Sequence, residues 1–485
     1  MAFLYGAAVQ GIQDFIYRTN SLKEIIGASD IVEQICTNLF VKALKKDTNQ
    51  QYDINDDEHF IVHAAGNIKY VFENKAECAE VVKTFPKLVM EEAPGITISQ
   101  AVVEMIGKNF SSASNELEKH LRIQRNKPVR STTIGFAGIK RNRQTGLPAL
   151  CGKELYDEAT TKKIEHSEAT ALCAKAFGDN VPNEKFPFNI SDITYQNDWI
   201  AIIHADGNGL GALIQGIGGD EKALREFSRS LDTHTAEASR DAYKEIAKDY
   251  DFSELKVIPI RPIILSGDDF TVICRADFAL SYADSFIRHF EEKTKLTACA
   301  GIAYIKSSFP FYLVYELAED LCSAAKKDAK SGSTVRIGDR DLPPSCIMFH
   351  RIQDSFYESY DDIENRELSP CPEISLRFGP YYISKQVAEE KQKWTTNDLW
   401  NHIHPNYDKD WSAAKNAIRR WLSDIHYDRN MAEQRRERAI QLNERYGEEM
   451  KNLTSLRNGA CPAYDAMSLN AIMNQQTKVD NHGTN

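Results

Sequence analysis

The sequence predicts an α+β protein in which two ferredoxin-like domains are followed by a helical domain. The order strand, helix, strand, strand, helix, strand occurs in residues 3–104 and again in residues 199–304. After about residue 389 the pattern changes to charged helices, and 485 residues exceed what one hydrophobic core usually supports. The expected divisions are a domain at 1–118, a basic linker or helical insert at 119–197, a domain with its extension at 198–388, helices at 389–473 and a disordered tail at 474–485.

The second repeat places acidic residues at neighbouring strand ends. Asp206 follows the apolar run Trp199–His204, and Asp268 and Asp269 occupy the tip of a predicted hairpin whose turn is made by Gly267. The predicted elements are a strand at 199–206, a helix at 221–250, hairpin strands at 257–265 and 270–274, a helix from 278, a strand at 296–304 and a helix at 310–330.

Such an acidic pair of motifs is typical of a palm domain that transfers nucleotidyl groups. That chemistry uses two divalent cations, about 3.5–4 Å apart, and carboxylates are natural ligands for magnesium. A Gly-Asp-Asp alone is usually only a turn, but the Asp-Gly-x-Gly at the preceding strand end favours a catalytic interpretation. We therefore predict that Asp206, Asp268 and Asp269 are catalytic and hold two Mg²⁺ or Mn²⁺ ions, with Asp206 and Asp269 bridging them.

Residues beside these acids are predicted to bind the nucleotide. Glycines let the backbone turn sharply and approach a phosphate closely. Two lysines that end the 310–330 helix could reach a triphosphate, although the helix dipole alone also favours lysines there. The predicted nucleotide-binding residues are Gly207, Asn208, Gly209, Leu210, Gly211, Ser266, Gly267, Lys326 and Lys327.

The first repeat lacks the acidic tip. Ala64-Ala65-Gly66-Asn67 stands where the second repeat has Ser266-Gly267-Asp268-Asp269, so we predict a structural or substrate-binding role for this domain and no catalysis. Its predicted elements are a strand at 3–9, a helix that Ser29 caps and that runs to 44, a hairpin at 59–63 and 68–72, a helix at 76–90 and a strand at 96–104.

These motifs resemble the palm-domain large subunit of type III CRISPR effector complexes, a family that makes cyclic oligoadenylates from ATP. Residues 204–211 resemble its Asp-Gly-Asp-x-Met-Gly motif, and residues 266–269 resemble its Gly-Gly-Asp-Asp motif. Residues 11–16, 22–29 and 379–382 also resemble segments of the family. The resemblance implies two palms that face each other and place two nucleotides between them. Diguanylate cyclases share the same palm and are more distant by motif.

Three features depart from the family pattern. Asn208 replaces the second aspartate of the first motif, and Ser266 replaces the first glycine of the second, so activity could be reduced or nucleotide choice altered. Many family members also carry a nuclease domain with a His-Asp motif. Because the chain contains no His-Asp dipeptide, we expect a compact form without that domain and without DNA cleavage by it.

A positively charged segment separates the two repeats. Residues 119–153 contain no Asp or Glu, in a chain whose formal net charge is −11. The segment could bind a triphosphate or an RNA backbone, or be a solvated loop. The residues predicted to contact RNA are Arg122, Arg125, Arg130, Arg141 and Arg143.

Cysteine usage and hydropathy favour a cytoplasmic protein. The ten cysteines include no Cys-x-x-Cys pair, which indicates reduced thiols, and no run of eighteen apolar residues occurs. Cys151, Cys173 and His166 could share a metal, as could His402 and His404, but structural roles are more common for such residues.

Three functions are consistent with these patterns. The first is a metal-dependent nucleotidyltransferase that converts ATP or another NTP into a cyclic or linear oligonucleotide messenger, in CRISPR-type or related antiviral defence. The second is an RNA-binding scaffold subunit of a guide-RNA effector complex with weak or no synthesis. The third is a cyclic dinucleotide cyclase that uses GTP. The expected partners are nucleoside triphosphates, RNA, CRISPR-type subunits or a second copy of the chain, with no membrane.

Overall fold

Two β-sheets form the centre of the protein, one of four strands and one of six. Helices cover the sheets and form the C-terminal region, so the predicted fold class, α+β with two ferredoxin-like domains and a helical end, is confirmed. The computed structural model describes residues 2–46, 52–64, 66–107, 109–127, 138–150, 155–194, 199–217, 219–353, 359–403 and 409–480.

The N-terminal domain follows the order expected from its sequence. Its elements are β1 (Phe3–Gln10), α1 (Ile12–Tyr17), α2 (Leu22–Gln34), α3 (Phe40–Ala43), β2 (Phe60–Ala64), β3 (Asn67–Phe72), α4 (Lys75–Glu92), β4 (Thr97–Glu104) and α5 (Phe110–Arg125). The strands lie in the order β2-β3-β1-β4, which is the antiparallel ferredoxin-like arrangement. A π-helical turn, Ile35–Leu39, joins α2 to α3.

Two expectations for this domain differ from the structure. Ser29 does not cap a helix: it lies inside α2, and its hydroxyl donates a hydrogen bond to the Ile263 carbonyl of the other domain. Ser21 occupies the N-cap position of α2 instead. The division expected at residue 118 falls within α5, which packs against β4 and β1.

In the described parts of the segment that connects the two sheets, there are three short helices: α6 (Glu158–Glu165), α7 (Ala171–Phe177) and α8 (Ile190–Thr194). Helix α6 packs tightly against α2 at Gly27, where an added Cβ would lie 1.7 Å from the Lys163 carbonyl oxygen. The Lys163 ammonium in turn donates to the Phe15 carbonyl. The connecting segment is therefore part of the packed core.

The second domain contains β5 (Trp199–Gly207), α9 (Leu210–Ile217), α10 (Glu221–Asp249), β6 (Ile260–Ser266), β7 (Asp269–Arg275), α11 (Ala279–Thr294), β8 (Ala298–Lys306), α12 (Phe311–Ala329), β9 (Val335–Ile337), β10 (Arg340–Leu342) and β11 (Cys346–Arg351). Strand β5 lies between β7 and β8 and is antiparallel to both. Helix α12 lies so close to β8 that a Cβ on Gly301 would be 2.0 Å from the Ala318 carbonyl oxygen. Strand β11 was not predicted from the sequence; it pairs in parallel with β8.

The C-terminal region consists of α13 (Tyr360–Ile363), β12 (Tyr381–Tyr382), α14 (Lys385–Glu390), α15 (Thr396–Asn401), α16 (Lys409–Asp424), α17 (Arg429–Leu442), α18 (Gly447–Thr454) and α19 (Ala463–Asp480). Trp411 and Trp421 are buried in its core. Helix α19 extends into the segment from residue 474 that we expected to be disordered. Among the helices that the structure describes, none has both the length and the apolar character of a membrane span.

The two sheet domains contact each other directly. The rings of Tyr17 and Tyr315 stack with centroids 4.1 Å apart, and Gln13 Nε2 donates to Tyr315 Oη over 3.1 Å. On another side, Arg229 donates to the Asp57 carbonyl over 3.0 Å. These contacts set the N-terminal domain over the end of the second sheet where β5 ends.

Candidate active site

Three aspartates meet where β5 ends and β6 turns into β7. Asp206 lies near the end of β5, Asp268 lies in the turn, and Asp269 begins β7. One carboxylate oxygen from each lies within 4.8 Å of the others. Gly267 makes the tight turn with a φ of +64°, a conformation that glycine adopts without strain. The two acidic motifs are therefore brought together.

Burial and repulsion between carboxylates raise the pKa of two aspartates of this cluster, Asp268 and Asp269. Burial, a hydrogen bond with Asp206 and the charge on Asp269 raise the pKa of Asp268 well above its usual range. Burial and the charge on Asp206 raise the pKa of Asp269 to about 6, against a smaller opposing effect of Lys326. Three partly buried carboxylates at this spacing fit a hard divalent cation, which would relieve the repulsion.

Only one of the two predicted lysines reaches the acids. Lys326 Nζ donates to Asp206 Oδ2 and, over 3.0 Å, to the Gly207 carbonyl. Burial disfavours the charged form of Lys326, but the Asp206 carboxylate outweighs burial and raises the lysine pKa. Lys327 is exposed, because one residue along a helix turns the side chain by about 100°.

The backbone after Asp206 turns sharply into α9. Gly209 has a φ of +75°, and the buried Leu210 begins the helix. An added Cβ on Gly207 would lie 2.4 Å from Leu210 Cδ1 and 3.1 Å from Asp268 Cβ, so this glycine lets the two acidic motifs approach. Gly211 has open space around its Cα.

Asn208 faces away from the three acids. Its side-chain nitrogen donates to Thr297 Oγ1 over 3.2 Å and to Cys299 Sγ over 3.4 Å, and its backbone N–H donates to the Thr297 carbonyl over 2.8 Å. Among the described residues, the Asn208 amide nitrogen therefore bonds to Thr297 and Cys299 rather than to the clustered acids. The Asn208 N–H is bonded to the Thr297 carbonyl, and nucleotide binding by Asn208 stays a prediction.

The strand register identifies which residues of the N-terminal domain correspond to the three clustered aspartates. Ala8 of β1 pairs with Asn67 of β3. In the second domain Ala205 of β5 pairs with Phe270 of β7, and the same register continues to Asp206 beside Asp269. Ala8 and Asn67 thus stand where Asp206 and Asp269 stand in the second domain. Gly66 takes the place of Asp268, and Ala65 lies outside the described residues. This hairpin tip offers no carboxylate in its described part.

A cavity of about 410 Å³ lies between the two domains and reaches the cluster. This volume is within the range of small-molecule sites. The N-terminal domain contributes Gln13, Glu33 and Gly66, and the second domain contributes Ser266 and Asp269. Ser266, one of the residues predicted to bind the nucleotide, thus lies in the cavity wall.

The sequence did not reveal the residues that hold the hairpin tip in place. Asp232, in the middle of α10, accepts from the Gly267 N–H over 3.2 Å and from Lys175 Nζ over 3.0 Å. Lys175 also donates to the Leu265 carbonyl over 2.9 Å. His204 lies behind Asp206 against Thr271, and burial lowers its pKa to about 4, so the ring is neutral at neutral pH.

The basic segment shows no shared binding geometry in its described part. Arg122 and Arg125 are exposed in the last turn of α5, and Arg143 is exposed in a turn. Arg141 donates to the Gly146 carbonyl over 2.7 Å. Arg130 lies outside the described residues.

The other metal ligands considered have different partners. His166 Nδ1 lies 2.7 Å from Asp30 Oδ2, and Cys173 is fully buried. His402 Nδ1 lies 2.6 Å from Glu449 and its ring stacks on Trp394. Cys151 and His404 lie outside the described residues. Within the described part of the chain, the three aspartates form the one cluster suited to a metal.

Residues 199–334 match the family described as Cas10/Cmr2, second palm domain. This region of the chain is a Cas10-like palm domain. It holds all three clustered aspartates and Lys326, and the sheet domain that precedes it repeats its topology. No curated protein sequence matches the chain.

Solved structures extend the similarity beyond the Cas10-like palm. The chain is similar to one from the Csm1–Csm4 cassette in complex with cA4, with a TM-score of 0.54 and 14% identity over 97% of this chain and 69% of that chain. The cassette in complex with one ATP gives a TM-score of 0.53 at the same identity and coverage. The Csm1–Csm4 subcomplex of the type III-A CRISPR-Csm interference complex also gives 0.53. At this identity the comparison shows a Csm1-like fold.

Proposed function

We propose that the protein is a metal-dependent nucleotidyltransferase that joins ATP, or another NTP, into a cyclic or linear oligonucleotide. The observation that carries this proposal is the cluster of Asp206, Asp268 and Asp269 beside Lys326, with Asp269 lining a cavity between two palm-type domains. Three carboxylates and one ammonium at a strand end suit a triphosphate with its cations.

Different residues of the chain would bind the metal ions and the triphosphate. Asp206, Asp268 and Asp269 would hold Mg²⁺ or Mn²⁺, which when bound supplies charge neutralisation at phosphate and activation of a hydroxyl. Lys326, released from Asp206 when the acids take up cations, would contact the triphosphate. The 3′-oxygen of one nucleotide would bond to the α-phosphorus of another, and the bond to the β-phosphate would break, releasing pyrophosphate and a proton.

The cavity supports a position for the second nucleotide. It lies between the domains and has polar walls at Gln13, Glu33, Lys175 and Ser266. The N-terminal domain would therefore hold a nucleotide without catalysing its reaction, because Ala8 and Asn67 provide no carboxylates. Such an arrangement would hold the two reactants in one cavity, which would lower the entropic cost of their encounter.

ATP is the first substrate to test, because similar folds are found in complex with one ATP and with cA4. A partner subunit of the Csm4 type is also proposed from the assemblies in which those folds occur. A role in CRISPR-type or related antiviral defence would follow from such an assembly.

The test is to incubate the purified protein with each NTP and Mg²⁺ or Mn²⁺, with and without RNA, and to identify products by mass spectrometry. We expect an oligonucleotide product that is lost in the Asp268→Ala/Asp269→Ala variant. The adjacent lysines provide a matched pair: Lys326→Ala should reduce the rate at least about tenfold, whereas Lys327→Ala should leave it unchanged. Undiminished synthesis in the double aspartate variant would disprove the assignment, and equal effects of the two lysine variants would disprove the role of Lys326.

A further inference from the structure

A second groove lies between the six-stranded sheet and the C-terminal helices. Its volume is about 640 Å³, and its walls come from the end of β11, from α16 and from α19. Arg351 at the end of β11 pairs with Tyr304, which pairs in turn with Ala201 near the start of β5. Asp206 is five residues further along β5, or about 17 Å at the rise of a strand. The groove is therefore separate from the acidic cluster.

Two arginines in this groove form no close ion pair with the described carboxylates, although the charge of Glu367 acts on Arg351. The Arg351 guanidinium lies over the Trp199 ring, 5.3 Å from its centroid, and the buried Nε has no hydrogen-bond partner among the described residues. Within the described part of the chain, neither Arg351 nor Arg419 forms an ion pair with a carboxylate. The acid of the groove wall, Glu367, already accepts from Arg366 over 2.9 Å and from Tyr464 over 3.2 Å.

The positive charges in and beside the groove repel one another. Burial and the charge on Arg419 lower the pKa of Arg351 against opposing effects of Tyr464 and Glu367, and burial lowers the pKa of Arg419 itself. Lys415 lies one helical turn before Arg419, and its pKa is lowered by burial and by that arginine. A bound anion would offset both the burial and the repulsion, in a protein whose net charge is otherwise −11.

We propose that this groove binds a phosphate group of an oligonucleotide or a nucleotide. Guanidinium groups match phosphate oxygens with two parallel hydrogen bonds, and Arg351 and Arg419 present that chemistry on one groove. At the rim, Tyr427 is 87% exposed and offers a ring on which a base can stack. An exposed ring beside arginines favours nucleic acid over an acidic peptide. The proposal does not depend on the catalytic activity proposed above.

The test measures binding of a short fluorescein-labelled oligouridylate to the full chain in EDTA, by fluorescence anisotropy. Arg419→Glu should weaken binding at least about tenfold and reduce the slope of log K against log salt by about 1. Arg420→Glu is the matched control, because Arg420 is the next residue, is exposed as Arg419 is, and lies 3.8 Å from Asp424 outside the groove wall. Both variants change charge by the same amount on the same helix.

Competition identifies the source of the phosphate. Inorganic phosphate and ATP, each added as a competitor, should displace the probe if a single phosphate is enough, whereas displacement only by unlabelled oligouridylate assigns the site to a nucleic-acid backbone. The Asp268→Ala/Asp269→Ala variant should bind the probe as the unchanged protein does. Equal weakening by the Arg419 and Arg420 variants, or equally tight binding of polyglutamate in place of the oligouridylate, would overturn the proposal.

Discussion

Replacing an aspartate of the acidic cluster should make the metal-free protein more stable. The pKa of Asp269 is raised to about 6, so the folded protein holds this proton more tightly than the unfolded chain does. The free energy of unfolding should then fall as pH rises from about 4 to about 6 and stay low above that. Measured against an ordinary aspartate pKa of about 3.9, linkage gives about 3 kcal/mol.

Asp269→Asn should abolish this fall in the free energy of unfolding, because the amide is uncharged at every pH. In EDTA at pH 7.5 the variant should exceed the unchanged protein by up to about 3 kcal/mol in the free energy of unfolding, and near pH 4 the two should agree. Urea titrations followed by tryptophan fluorescence at both pH values measure this difference. Asp56→Asn, at an exposed aspartate of the N-terminal domain, is the control and should have no such effect.

Magnesium should reverse the order. Added Mg²⁺ should stabilise the unchanged protein, whose acids it neutralises, and stabilise Asp269→Asn much less. If the variant is equally or less stable than the unchanged protein in EDTA at pH 7.5, the repulsion inferred from the geometry is wrong.

Two further substitutions test the supports of the site. Asp232→Asn weakens the hydrogen bonds from Gly267 and Lys175, so it should lower the rate of product formation about tenfold while Mg²⁺ still stabilises the protein. Glu237→Gln on the same helix is the control. An unchanged rate for Asp232→Asn would contradict the role of Asp232 in positioning the hairpin tip. Gly301→Ala should lower the free energy of unfolding by about 3 kcal/mol in urea titrations, because its Cβ would overlap the α12 backbone, and a neutral effect would contradict that packing.

Local pattern was enough to predict most of the second domain. Its strands are apolar runs bounded by glycine turns, and the acids lie at strand ends, so the meeting of Asp206 with Asp268 and Asp269 followed from the element order. Strand β11 was missed because its partners, β8 and β12, lie more than 30 positions away in the sequence, so local pattern does not indicate the pairing.

Side-chain direction and distant support could not be predicted in the same way. Whether Lys326 or Lys327 reaches the acids depends on the rotation of α12 about its axis, which the sheet determines. Asp232 is separated from Gly267 by 35 positions and resembles any other charge on a helix until the tertiary structure brings the two together. Ser29 was predicted to cap a helix because serine is a preferred N-cap residue. Its actual hydrogen-bond partner, the Ile263 carbonyl, belongs to the other domain and is not visible in the local sequence.

The two hairpin tips make the two sides of the cavity chemically different. Gly66 lines it from one domain, where the paired Ala8 and Asn67 carry no carboxylate, while Asp269 of the acidic cluster lines it from the other. If a nucleotide occupies each side, only the one on the acidic side can lose pyrophosphate, so the other must provide the attacking hydroxyl. An oligonucleotide made here would grow in a single chemical sense, with each added unit entering on the acidic side.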